Sequence, residues 1–293
     1  MELLKDGDRL ILRHVKDFDL DHTFLCGQCF RFEKREENRY IGVASSHLLD
    51  IAKVGDDFVM QHTTLEEFQN FWSYYFAFDI DYDKIKKELS KDDVLRCAIH
   101  HGQGIRILRQ DLFETILSFI LSQSNNITRI RGIIQTFCQK FGEKIVYEGR
   151  EYYTFPHPRD LMGIELEDLA DLKAGYRDKY VYRTILAINE GKFSLDDLYH
   201  MPTPKAKEAL LGLSGVGEKV ANCILLFGLS RFDSFPIDVW IRRVMEHFYY
   251  EDQKTNPTVI AELAQNSFGD LGGFAQQYLF FYAREQLQKQ KSE

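Results

Sequence analysis

The chain has 293 residues, 44% of them hydrophobic and 28% charged, with a formal net charge of −8. This is a globular composition long enough for two domains, and 19 glycines and 6 prolines are too few for a collagen-like or low-complexity chain. The longest clean apolar run, Cys223–Leu229, is far short of the roughly 20 residues of a membrane span, and the first residues lack the charged-then-apolar order of a secretory signal. An intracellular protein without membrane contact is therefore expected.

Residues 1 to about 62 read as strands: Arg9–Arg13, Phe30–Phe32, Tyr40–Ala44 and Asp57–Met60 are short, β-rich and separated by polar turns. From Thr64 the period changes to a helical one, with Leu65, Phe68, Phe71, Trp72, Tyr75 and Phe76 on one face, and Ile85–Ile99 reads as one further helix. Asp111 is placed to cap a helix over Leu112–Leu121. Helices over Ile127–Phe141, Tyr180–Asn189, Pro204–Leu213, Val220–Leu229 and Val239–Tyr249 follow. The expectation is an α+β chain: an antiparallel β-rich domain over 1–104, then an all-helical domain over 105–293.

Five scattered cysteines suit a reducing compartment. Cys26-Gly-Gln-Cys29 spells a CxxC, but it runs into an apparent strand rather than a helix, and no second ligand pair accompanies it, so redox and zinc roles are disfavoured. Acidity as a whole argues against a non-specific nucleic-acid coat protein. Yet Gln103–Arg150 carries seven basic and four acidic residues, and Lys173–Arg183 four and one. A locally basic face and ordinary solvated helices fit those counts equally well.

The most informative segment is Leu210–Cys223, LLGLSGVGEKVANC. An apolar helix ends near Leu211, Gly215-Val216-Gly217 makes a tight turn, and a new helix starts at about Glu218. Two glycines one residue apart let the backbone approach a ligand, and the free N–H groups of the new helix suit a phosphate. The plain alternative is a helical corner with glycine for packing. Lys219 sits where the helix dipole disfavours positive charge; that, with partial burial, favours a free, nucleophilic amine. Nineteen residues on, Pro236 and Asp238 mark another helix start, where an aspartate can both cap the helix and face a developing cation.

These residues resemble the helix-hairpin-helix glycosylases and, within them, the 8-oxoguanine DNA glycosylase/AP lyase family. Gly27-Gln-Cys-Phe-Arg31, Ile107–Asp111, Ser124–Arg129, Gly175-Tyr-Arg177 and Phe274–Phe280 are similar, in order, to further signatures of that family. The resemblance implies a β-rich domain beside a helical helix-hairpin-helix core, acting on double-stranded DNA that contains oxidised guanine.

It also implies roles. Lys219 would attack C1′ of the damaged nucleotide and form a Schiff base that permits strand cleavage, with Asp238 stabilising charge on the sugar. The base, flipped from the duplex, would lie between Phe280 and the face of Cys223 and Phe227, with Gln276 on its Watson–Crick edge and the Gly27 carbonyl at N7. Tyr176 would wedge into the duplex, while Arg129 and Arg177 would read the orphaned cytosine. Ser124, Asn125, Gly215, Gly217, Val220 and Trp240 would complete the DNA contact. The carbonyls of Leu211, Leu213 and Val216 would hold a monovalent cation, with no cofactor required.

Three positions depart from the family pattern: Ser124 opens a run that is otherwise Asn-Asn-Asn, Trp240 stands where eukaryotic members carry histidine, and Phe227 replaces methionine. Cys223 is the last cysteine, so the carboxy-terminal iron–sulfur loop of related branches is missing. The rival readings are a glycosylase for alkylated purines, whose members lack the lysine, and a non-catalytic DNA-binding protein. The preferred expectation is a monomeric, DNA-associated 8-oxoguanine glycosylase with lyase activity, cytoplasmic or nuclear.

Overall fold

The computed structural model describes residues 1–289. Strands β1 (Glu2–Asp6), β2 (Arg9–Arg13), β3 (Phe32–Glu36), β4 (Arg39–Ala44), β5 (His47–Val54) and β6 (Asp57–Gln61) form one antiparallel sheet in the order β1-β2-β6-β5-β4-β3. β2 and β6 alternate buried with more exposed residues, as a half-covered sheet requires. β1 and β5 escape detection by period because they carry mixed polar and apolar residues. The short helix α1 (Leu20–Leu25), capped by Asp19, crosses between β2 and β3.

The helical period after Thr64 holds as α2 (Leu65–Glu67), a π-helical turn over Phe68–Trp72 and α3 (Ser73–Tyr75). The single helix expected over Ile85–Ile99 is two: α4 (Tyr82–Leu89) and α5 (Asp93–His101). Asp92 breaks the run by accepting the Leu95 N–H as a new N-cap at 2.8 Å. There follow α6 (Leu112–Ser122), capped as expected by Asp111, and α7 (Ile127–Phe141), capped by Asn126. A hairpin, β7 (Lys144–Tyr147) and β8 (Arg150–Tyr153), then interrupts the otherwise helical region. The chain closes with α8 (Arg177–Asn189), α9 (Leu195–His200), α10 (Thr203–Leu211), α11 (Glu218–Gly228), α12 (Val239–Tyr249), α13 (Pro257–Phe268) and α14 (Gly272–Lys289).

Two buried clusters result, one on the sheet and one among the helices, and membership does not change at a single point in the chain. Tyr82, Leu89, Leu95 and Ala98 belong to the helical cluster, whereas Leu108 returns to the sheet cluster. The CxxC straddles them, with Cys26 in one and Cys29 in the other. Both thiols are free and buried, and burial pushes the Cys26 thiol up to about 12. They act as small apolar packing groups.

Polar bonds hold the clusters together. Fully buried Gln28 donates to the carbonyls of Thr23 (2.9 Å) and Arg106 (2.7 Å) and accepts the Leu108 N–H (2.8 Å). Buried Asp50 on β5 takes Arg39 in a fork (2.9 and 2.7 Å) and the Tyr147 hydroxyl (2.6 Å), tying the helical region's hairpin to the sheet. Gln28→Ala takes from the Arg106 carbonyl and the Leu108 N–H their partner in the interior, while the Thr23 carbonyl keeps the Cys26 thiol at 3.3 Å. It should lower stability by about 1–3 kcal/mol, read from the denaturant midpoint; an unchanged midpoint would deny Gln28 this clamping role.

Candidate active site

The hairpin turn is closed by backbone bonds from Leu213 N to Leu210 O (3.0 Å) and from Val216 N to Leu213 O (3.1 Å). Gly215 is compelled twice over. Its φ is +81°, and an added Cβ would stand 2.4 Å from the ring of Tyr180 on α8. Gly217, the extended N-cap of α11, has nothing within 4 Å of where its Cβ would be, so no group of this chain demands a glycine there. Its open front fits close approach by another molecule. Val220 is buried, so any contact it makes to a ligand runs through its backbone N–H.

Lys219, half-buried in the first turn of α11, holds its Nζ 5.2 Å from the centre of the Phe119 ring. Phe119 in turn stacks on Phe227 at 5.4 Å and 13°. One turn after Lys219, Cys223 is buried, and burial raises its thiol despite the neighbouring lysine. A neutral thiol is a wall, not a nucleophile. Of the two polar side chains on this helix face, Lys219 alone is more than marginally accessible, while Cys223 is closed in. Phe119 escaped the sequence reading because it lies on the apolar face of α6, where periodicity cannot separate a core ring from one beneath an amine.

Asp238 caps α12, with Oδ1 accepting the N–H groups of Trp240 (2.9 Å) and Ile241 (2.8 Å). Oδ2 is uncommitted among the described residues. Burial raises the Asp238 carboxyl above its ordinary range, an effect opposed by the Ile241 N–H, the charge of Lys219, the Trp240 N–H and the charge of Arg284. The structure thus couples the two residues that sequence spacing paired.

Helix α14 meets the Leu25–Phe30 turn. Gly27 has φ +83°, and a Cβ there would lie 3.2 Å from Phe280. Arg284, one turn after Phe280, donates to the Leu25 carbonyl (2.9 Å) and lies 5.6 Å from the Phe280 ring, an anchor the motifs did not reveal. Gln276 is buried, not exposed as an unassigned glutamine would be, and its carbonyl accepts from Gln277 at 2.8 Å.

A second group surrounds the Gly175–Arg177 turn. Tyr176 is 51% exposed beside Tyr180. Arg177, by contrast, is buried: it donates to the carbonyls of Gln123 (2.8 Å), Ala174 (3.0 Å) and Ser124 (3.1 Å). Arg129 donates to the Lys173 carbonyl at 3.0 Å. In this structure both arginines brace loops. Ser124 has φ +47°, a conformation that asparagine adopts more readily than serine. Asn125 bonds back to the Leu121 carbonyl at 3.3 Å. Trp240 lies half-buried with Arg243 5.1 Å from its ring.

Gly215→Ala should be strained by its backbone and by Tyr180, costing about 1–2 kcal/mol or more, read as a lowered melting temperature. Wild-type stability would mean that the turn relaxes freely and is not the fixed support of α11.

Residues 10–116 match the N-terminal domain of 8-oxoguanine DNA glycosylase, and residues 117–268 match the HhH-GPD superfamily of base excision DNA repair proteins. The chain is 30% identical over 288 residues to N-glycosylase/DNA lyase OGG1 of Arabidopsis thaliana, covering 92% of this chain and 78% of that one. It is 33% identical over 214 residues to a probable N-glycosylase/DNA lyase of Methanothermobacter thermautotrophicus, covering 66% and 68%. Its fold superposes with a TM-score of 0.94 and 40% identity on Clostridium acetobutylicum 8-oxoguanine glycosylase/lyase, solved with double-stranded DNA containing cytosine opposite 8-oxoguanine, over 97% of this chain and 98% of that one. An amine, a capping carboxylate and a glycine turn so arranged, on that fold, place the chain in the 8-oxoguanine DNA glycosylase family of the HhH-GPD superfamily.

Proposed function

We propose that this protein excises 8-oxoguanine from duplex DNA, with preference for cytosine opposite, and then cleaves the strand as a lyase. The observation that carries the reading is Lys219 at the head of α11, seated over Phe119, electrostatically coupled to Asp238 and backed by a neutral thiol. The lysine amine attacks C1′ as the base leaves. The imine that follows acidifies C2′, whose proton loss expels the 3′ phosphate. Ionised Asp238 opposes the positive charge that develops on the sugar. A monofunctional alkylpurine glycosylase or a bare DNA-binding module has no use for the amine.

The flipped base lies between Phe280 and the Cys223–Phe227 face, with the Gly27 carbonyl at N7. Oxidised guanine bears a hydrogen there, while normal guanine presents a lone pair. Tyr176 fills the vacated stack. For Arg129 and Arg177 to read cytosine they exchange their loop carbonyls for base edges. At the hairpin, the carbonyls of Leu211, Leu213 and Val216 would hold a monovalent cation; Leu213 O accepts one bond and keeps a second lone pair. Such an ion would add positive charge where a DNA phosphate meets Gly215, Gly217 and Val220. The protein acts as a monomer, where DNA is, in the cytoplasm or nucleus.

Borohydride reduction in the presence of an 8-oxoguanine duplex should trap a covalent adduct, more opposite cytosine than opposite adenine, and Lys219→Gln should abolish it. A persistent adduct in that variant would move the nucleophile elsewhere. Arg129→Ala, which removes one carbonyl bond only, should narrow the cytosine preference; equal loss opposite every base would make Arg129 a backbone contact.

Because burial raises the Asp238 carboxyl, its active, ionised form is lost on acidification at a higher pH than for an ordinary aspartate. Single-turnover rates against pH should show that raised acid limb, and Asp238→Asn should be slow and lack it. An unmoved limb in the variant would assign it to another group.

A further inference from the structure

Behind α7, between β3, β4 and β8, lies a cavity of about 340 Å³, within the range of small-molecule sites. It is separate from the residues assigned above. Arg131, on its wall, follows Arg129 by two residues, about 200° around the helix, so the two arginines serve opposite sides of α7. Ile134 and Cys138, three and seven residues after Arg131, line the same cavity, as one helix face should.

Its charge is unbalanced in a specific way. Four arginines line it in a protein of net charge −8. Arg31 is spent on Glu114 at 3.0 Å, and Arg35 pairs with Glu33 at 2.7 Å and donates to the Tyr152 hydroxyl at 3.1 Å. The remaining acid of the lining, Glu151, is engaged by Lys144 at 3.0 Å and by the Tyr153 hydroxyl at 2.6 Å. Arg131 and Arg150 are left without a carboxylate partner among the described residues. The Nε–H groups of Arg131 and Arg35 are buried away from the cavity space, so what Arg131 can offer a ligand is its terminal guanidinium nitrogens.

We propose that this cavity binds a small aromatic phosphate monoester. The guanidinium groups of Arg131 and Arg150, on different elements and without a carboxylate partner among the described residues, offer more donors than the two oxygens of one carboxylate require. A phosphate, with three terminal oxygens, matches them. Phe30, Val43 and Ile134 supply an apolar wall for the ring, beside Tyr152. Phe30 meets Phe119 edge-on at 5.8 Å, so a ring seated there is two aromatic contacts from Lys219.

The test is calorimetric titration of the full chain with phenyl phosphate. One site is expected, with inorganic phosphate about tenfold weaker or more for want of a ring. Arg131→Gln should weaken phenyl phosphate about tenfold or more, and Arg150→Gln, at an exposed position where folding is not at risk, should weaken it in the same direction. A saturating duplex carrying an inert abasic analogue should leave the affinity unchanged. Absence of binding at millimolar phenyl phosphate, or wild-type affinity in both variants, overturns the proposal. So does displacement by the duplex, which would make Arg131 and Arg150 contacts to the DNA backbone.

Discussion

The turn between Leu211 and Glu218 governs the rest of the site, because it fixes the direction in which α11 leaves the hairpin. Gly215 can occupy its left-handed conformation against the Tyr180 ring only because it has no side chain. Once α11 is set, its period of 3.6 residues puts Lys219, Cys223 and Phe227 on one face. At its far end Gly228 packs closely on α6, 3.0 Å from Leu112 to the position a Cβ would take. A rigid helix carrying the amine, rather than a loop, holds the reactive nitrogen over Phe119.

The electrostatics of the site come from burial more than from partner charges. Burial raises both the Cys223 thiol and the Asp238 carboxyl. For the aspartate, two helix N–H groups and the charges of Lys219 and Arg284 oppose that rise. One oxygen of this carboxylate caps α12, and the other is uncommitted among the described residues.

The sheet and the helices are joined by polar contacts as well as by apolar ones such as Phe30 on Phe119. Gln28 and Asp50 are wholly buried, yet both are satisfied, Gln28 by Thr23 and the Arg106–Leu108 segment that leads to α6, Asp50 by Arg39 and by Tyr147 of the β7–β8 hairpin. Gln28 stands next to Gly27, so the bonds that join the two clusters also steady the carbonyl assigned to the base. Arg284 does the same from α14 through the Leu25 carbonyl.

Much of this was legible in the sequence alone. The change from a period of two to one of 3.6 near Thr64, the glycine turn and the Lys219–Asp238 spacing are local patterns, and local patterns follow from backbone geometry. Strand β5 and the β7–β8 hairpin were not legible, since their residues mix polar and apolar types and are strands only because neighbours offer hydrogen bonds. The break at Asp92 was hidden for a related reason: apolar spacing runs through it, while a cap bond ends the turn. Contacts across the chain lay wholly beyond the sequence: Phe119 beneath Lys219, Arg284 on Leu25, Arg177 turned inward onto three carbonyls. A side chain's partner is decided by which elements pack against it, and that is set by the burial of the whole core, not by the residues beside it in the chain.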